Sequence, residues 1–506
     1  MRRERPARLD RGRWAAAVLL ALAVLCSGCK KQDDEKNSVT GHVSTPNGDI
    51  GGVTVDIYTA TAFTSSDPWP TTEAHPQIGF TYDLPAAWDY RRASAQRVAS
   101  CETGADGAFE FPDLADGDYI VEAIKAGYGW SVPQKVSVHG HSMDVGTLAL
   151  AVVETLLPNV VLTGENRWLA GRHYLVQSAV TVAQGATLII EPGVVVRFPM
   201  DSWMQVLGTL IADGEPGRFV IFTSDEALPN LGDWRYILFS ETATPPRFRY
   251  CAFRWAEDPI RVSGRTGGRI ESCYFASINA VGASLLGNAE TQMDSIVCRG
   301  NVVNGAGVGF RVENVAVGRP MQIEHNAIYG CSKYGVELVA AFSGEVYCNW
   351  FYACGKADQA SGTATGALSL IRVRDLEVDR NDFRKSVYGV DMGSLVDSSV
   401  HIRNNYFYLL SRGMNVGWTP ESAGPSFPHF NYNCIQAVEY YYIYVDDCLI
   451  NTQPLDATNN YWDGRSEASV RQHFLYDHDD DPTCPRVTIG TILPSCNREE
   501  AGICAP

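Results

Sequence analysis

The 506-residue chain carries 41 basic and 58 acidic residues, a formal net charge of −17. That balance argues against nucleic acid, and against anionic polysaccharide as a bulk partner unless basic residues are gathered locally. The length accommodates a small β-domain and a long repetitive one.

Residues 2–13 hold six Arg against Glu4 and Asp10, and Trp14 to Leu25 is an apolar run too short to span a bilayer. The run ends in Leu25-Cys26-Ser27-Gly28-Cys29. Small residues before a cysteine resemble the bacterial lipoprotein signal, although Cys26 stands where that signal usually has Leu. The resemblance implies a signal peptide over 1–28 and a lipid on Cys29. With Lys30 rather than Asp next, it implies the outer membrane or cell surface. Losing six Arg and two acids with residues 1–28 takes the net charge from −17 to −21. Residues 29–37 read as a charged tether.

From 38 to 150 the pattern is strands. Asn47-Gly48 predicts a hairpin turn after Val39–Val43, and Val53–Tyr58 alternates. The run Gly107-Ala108-Phe109-Glu110-Phe111, Leu114, Gly117-Asp118-Tyr119-Ile120-Val121 and Lys125-Ala126-Gly127-Tyr128 resembles the carboxypeptidase regulatory-like, transthyretin-like β-sandwich. The resemblance implies a spacer or binding module. Residues 61–100 read as an insertion without an assigned role.

Residues 151–464 are governed by a repeat. Asn, any residue, then a large apolar residue recurs at Asn301, Asn326, Asn349, Asn381, Asn405, Asn433 and Asn460, with Cys251 and Cys273 in the Asn place upstream. Steps of 22 to 32 residues are the period of a solenoid. A coil of about 25 extended residues can turn through three short strands and stack on the next at ~4.8 Å. The third position, from Phe253 to Trp462, should form an internal column. The Asn amides should bond from coil to coil, with Asn also serving a left-handed corner. A second motif follows, as in Gly335-Val336-Glu337-Leu338, Gly389-Val390-Asp391-Met392 and Gly413-Met414-Asn415-Val416. Together these resemble the right-handed parallel β-helix of the pectate-lyase-like superfamily. The opening run Gly185-Ala186-Thr187-Leu188 to Phe198 resembles the first coils of bacterial surface β-helices. The predicted fold is thus all-β, an N-terminal β-sandwich plus a right-handed parallel β-helix solenoid. Residues 465–506 form a cap and tail, with one helix over Ser466–Leu475.

The outward polar position of the second motif collects Arg261, Arg311, Glu337, Asp391, Asn415 and Tyr444 as candidate ligand-binding residues. By the resemblance, this groove is where related lyases and hydrolases keep clustered carboxylates. Here the column mixes charge types, so no catalytic residue is assigned. Glu337 and Asp391, two coils apart at ~9.6 Å, are the nearest approach to a carboxylate pair. Asp446 and Asp447 are adjacent and should face opposite ways. Asp477–Asp481 lacks the spacing of an EF-hand loop, and no metal or cofactor is assigned. Tyr440–Tyr442 and Trp418 are aromatic enough to stack on sugars. Cys331 with Cys354, and Cys251 with Cys273, fall on equivalent positions one coil apart. They read equally as disulfides or as a column of buried thiols. The expectation is a lipid-anchored surface protein that binds glycan or envelope material, or serves structurally, without catalysis. The alternative is a polysaccharide lyase or glycoside hydrolase working in the groove.

Overall fold

The structure is a computed structural model and describes residues 37–59, 97–226, 228–264, 266–287, 293–356, 364–417, 427–446 and 453–496. Cys29 and the rest of the N-terminal segment, residues 61–96 of the insertion, Trp418 and Asp447 lie outside the described residues. The chain divides into two compact units, with Ala126–Gly129 and everything from Ala151 onward in the second.

The first unit is a two-sheet sandwich. Strand Asn37–Ser44 pairs antiparallel with Ala108–Leu114 and parallel with Met143–Ala149. Strands Thr54–Thr59, Arg97–Glu102, Gly117–Ile124 and Gln134–Val138 make the other sheet. Val39, Val55, Ile57, Phe111 and Val121 are buried, as period-two alternation requires. Asn47-Gly48 does form a turn, with Gly48 at φ +79° and Asn47 Oδ1 accepting from Asp49 N at 3.1 Å. It does not form a hairpin: the strands on either side lie in different sheets. The turn carries the chain across the sandwich, so both flanking strands bury a face without pairing.

In the second unit, successive coils lay down three stacked sheets. One holds the Asn-x-apolar strands, from Ala151–Thr155 to Tyr461–Trp462, all parallel and in register. This is the asparagine sheet. The glycine sheet holds the second motif, from Val160–Leu162 to Leu475–Tyr476. The third sheet follows it. Tyr334–Tyr347, a 14-residue strand, runs through the corner and belongs to both. The first coil lies at the very start of this domain: Ala151–Thr155, Val160–Leu162 and Glu165–Trp168 pair with the next turn.

The interior is built from columns. Phe253, Phe275, Val303, Ile328, Phe351, Phe383, Phe407, Ile435 and Trp462 are all 0% exposed. Phe222, Phe253 and Phe275 stack at 4.9 and 5.1 Å, and Phe351, Phe383 and Phe407 at 5.0 and 4.9 Å. Each such stack adds ~0.5–1.5 kcal/mol beyond the burial of its rings.

Beside this column runs an amide ladder. The backbone N–H and Nδ2 of each Asn from Asn301 to Asn433 donate to Oδ1 of the Asn one coil on. For Asn349 to Asn381 the distances are 2.9 and 3.0 Å, and for Asn381 to Asn405 they are 2.8 and 3.0 Å. Nδ2 also donates to a carbonyl of the preceding coil, as Asn381 does to Val346 at 2.7 Å. No ladder Asn from Asn301 to Asn460 is more than 1% exposed. The predicted left-handed corner exists one residue earlier than expected. Tyr250, Ser272, Gly300, His325, Cys348, Arg380, Asn404, Tyr432 and Asn459, each just before a rung, have φ between +47° and +62°. A matching left-handed residue closes most rungs, as at Ala353, Lys385 and Leu409. Non-glycine residues pay ~1–2 kcal/mol to sit there. The ladder offsets that cost, because only a chain turned before the Asn aims its N–H at the next amide.

The small residue that opens each glycine-sheet motif has a steric cause. A Cβ on Gly389 would lie 2.6 Å from the Gly413 carbonyl and 2.6 Å from the Phe407 ring. At the far end, helix Glu467–His473 is capped by Ser466, whose side chain accepts from Ser469 N, and it buries Val470. Leu475–Tyr476 rejoins the glycine sheet beside Ile443 and Tyr444, so the cap continues the register.

Cys251, Cys273, Cys331 and Cys354 are buried free thiols, so neither candidate pair is bonded. Their hydrogens find carbonyls instead, as Cys251 Sγ does at Ala212 O, 3.3 Å away. Burial and the neighbouring thiols push Cys251 and Cys331 well above the usual thiol range. A disulfide that the repeat did not suggest joins Cys434 to Cys496.

Candidate functional site

Strand register in the glycine sheet fixes one outward column, running Gln205, Leu238, Arg261, Ser284, Arg311, Glu337, Ser369, Asp391, Asn415, Tyr444, Tyr476. The six residues singled out from sequence all stand in it, and each is half-buried. They divide into three groups.

The first group centres on Asp258, which is 3% exposed. Ser284 Oγ donates to both its oxygens, at 3.0 and 2.9 Å, and Arg261 Nε lies 3.2 Å away. Burial pushes the Asp258 carboxyl up to about 6 despite the Arg261 charge and the Ser284 hydrogen bond.

In the second group Arg311 bridges two acids. Its Nε donates to Glu313 Oε1 at 2.7 Å and sits 3.4 Å from Glu337 Oε2. Burial raises the Glu337 carboxyl, with Arg311 opposing and Glu313 reinforcing the rise.

The third group is a relay. Tyr334 leans over the coil that carries Gly366 and Ser369, where no long side chain stands in its way, and donates to Asp391 Oδ2 at 2.6 Å. Asn415 Nδ2 donates to Asp391 Oδ1 at 2.9 Å. Arg412 Nη1 donates to Asn415 Oδ1 at 2.6 Å. The Arg412 guanidinium lies 3.7 Å over the Tyr444 ring, with Tyr388 at 5.3 Å and Tyr441 at 5.9 Å. Tyr476 stacks on Tyr444 at 4.7 Å. Desolvation raises the Asp391 carboxyl, while the Tyr334 and Asn415 hydrogen bonds and the Arg412 charge hold it down.

Glu337 and Asp391 are two coils apart with Ser369 between them in the column. Among the described residues no group of three His, Cys, Asp or Glu side chains is placed to hold a metal ion. In the Asp477–Asp481 turn residues 478–480 are exposed and one acid is buried. Asp477 is 2% exposed and accepts from Asp479 N and Val487 N, and Asp479 pairs with Arg486 at 2.6 Å.

Sequence reasoning passed over Asp258, Ser284, Tyr334, Ser369, Arg412 and Tyr476. Ser284 and Ser369 were within reach, since a solenoid supplies one member of a column per coil and two coils lacked one. Tyr334 and Arg412 carried no such signal, because each flanks the motif and acts across coils.

The parallel register, the short coils and the three sheets are matched by one comparison with known proteins. Residues 234–370 fit the family model described as the right handed beta helix region. The solenoid is a right-handed parallel β-helix. The matched stretch takes in Arg261, Arg311 and Glu337 and stops before Asp391. No curated protein matches the chain. The match speaks to the fold, and a right-handed β-helix hosts many chemistries.

Proposed function

We propose that this chain is a lipid-anchored surface protein whose β-helix binds glycan along the glycine sheet and does not cleave it. The observation that carries this reading is that the carboxylates of the three groups described above are already engaged, Glu337 by an arginine it shares with Glu313. Asp258 is held by Ser284 and Arg261, Glu337 by Arg311, and Asp391 by Tyr334 and Asn415. Such groups orient and recognise hydroxyls well and serve poorly as free nucleophile or base. Tyr441, Tyr444 and Tyr476 add aromatic surface of the kind sugars stack on. The anchor rests on the apolar run and Cys29, and the sandwich would act as a spacer above the membrane. A glycan array tests the binding. Hits that weaken in Tyr444→Ala support it, and an array blank at every glycan class rejects it.

One observation favours a second reading, an inverting hydrolase. Glu337 and Asp391 are both raised by burial and stand ~9.6 Å apart by register. That lies at the outer edge of the ~6.5–9.5 Å an inverting pair uses. Tyr334 is bonded to one of the two, which weighs against a water held between them.

A further inference from the structure

Arg261, Arg311 and Arg412 on the glycine-sheet face are not equivalent. Arg261 is neutralised by Asp258, and Arg311 by Glu313 and Glu337. Arg412 has no ion pair with a described carboxylate. Its one side-chain hydrogen bond among the described residues goes to a neutral amide oxygen, that of Asn415. Its flat face is covered by Tyr444 at 3.7 Å. A guanidinium carries five donors in one plane. Contact with the ring takes one face of the group and leaves its N–H edge, which makes only the Asn415 bond among the described residues.

The edge is also aimed. Asn415 is fixed by Asp391 on the preceding coil, and Asp391 is fixed by Tyr334 from two coils further back. Both Asp391 oxygens accept, so the carboxylate orients Asn415 with its Oδ1 toward Arg412. The relay spends an acid two bonds away from the cation instead of pairing with it directly.

We propose that Arg412 is the specificity-determining residue of the glycan site, taking a carboxylate or sulfate substituent of the sugar, with Asn415 and Asp391 as its positioning residues. The proposal rests on the glycan-binding reading. A planar guanidinium edge matches a carboxylate or sulfate with two parallel hydrogen bonds. Tyr441 and Tyr476 would hold the ring that bears the group, Tyr444 being itself packed between Arg412 and Tyr476.

The test uses polymers matched in backbone and different in charge: polygalacturonate against its fully methyl-esterified form, and dextran sulfate against dextran. Titration calorimetry on the full chain should give one charged member roughly tenfold or more tighter than its neutral counterpart, the size of one charge-assisted contact. The carboxylate and sulfate arms say which anion is taken. The preference, read as the ratio of charged to neutral affinity within each variant, should vanish in Arg412→Gln and shrink severalfold in Asn415→Ala. Arg412→Lys, which keeps the charge without the fork, should retain part of the preference and guards against a variant that fails to fold. Equal affinity for charged and neutral members overturns the assignment of Arg412 and leaves glycan binding standing, as does a preference that survives Arg412→Gln. Binding to none of the four polymers and to no glycan on an array overturns both.

Discussion

Replacing Asn381 by Ala removes one rung from the middle of the amide ladder. Two buried donors lose their acceptor, the Asn349 backbone N–H at 2.9 Å and Asn349 Nδ2 at 3.0 Å. The Val346 carbonyl loses the amide that reached it at 2.7 Å. A buried polar group stripped of its partner costs ~1–3 kcal/mol, so the two donors alone bring a loss of about 2–6 kcal/mol. That is a large part of the ~5–15 kcal/mol that holds a typical domain together. The left-handed corner at Arg380, φ +55°, would then have nothing to offset its strain. Coils in a solenoid touch only their neighbours, so the damage should be local first. Hydrogen exchange should quicken at Asn349 and Asn381 before it changes at Val180 or Val206, and the urea midpoint should fall. Unaltered exchange at Asn349 together with an unmoved midpoint would refute the ladder as a source of stability.

Three further outcomes are expected. Gly389→Ala should destabilise the β-helix by ~1–3 kcal/mol in a urea melt, because its Cβ would lie 2.6 Å from both the Gly413 carbonyl and the Phe407 ring. Asp258 is raised in the fold, from 3.8 to about 6, so the stability linked to its protonation is full below pH ~4 and lost as pH rises through about 6. The difference in unfolding free energy between wild type and Asp258→Asn should therefore change by about 3 kcal/mol across that window and stay flat above it; no change between pH 4 and 7 would contradict the shift. Palmitate should label the wild-type chain and not Cys29→Ser, whereas equal labelling would remove the lipid anchor.

The fold was legible where physics repeats at every coil. A buried amide has to meet its own kind at the next turn, and a phenylalanine column has to stay dry, so Asn301 to Asn460 and Phe253 to Trp462 announced themselves by spacing. The left-handed residue was placed one position late, since Asn is tolerant of that corner but is needed for its side chain. Asn47-Gly48 suggested a hairpin because a turn dipeptide says that the chain bends, and not which strand it pairs with afterwards. Cys434 and Cys496 lie 62 residues apart, one of them beyond the last repeat, where no column relates them. The candidate site divides in the same way. Its six column members follow from period-two alternation. The contacts that give them a role, Tyr334 across a coil to Asp391 and Arg412 onto Tyr444, depend on which neighbours are small and which are aromatic.

Binding without cleavage is open to a test by product analysis. The full chain is incubated with the glycan it binds most tightly on an array, and reducing ends and unsaturated uronate products are followed over time. Neither product should rise above the no-protein control. Product release by the wild-type chain, abolished in Glu337→Gln or Asp391→Asn, would contradict it and make the glycine-sheet face the active site of an enzyme.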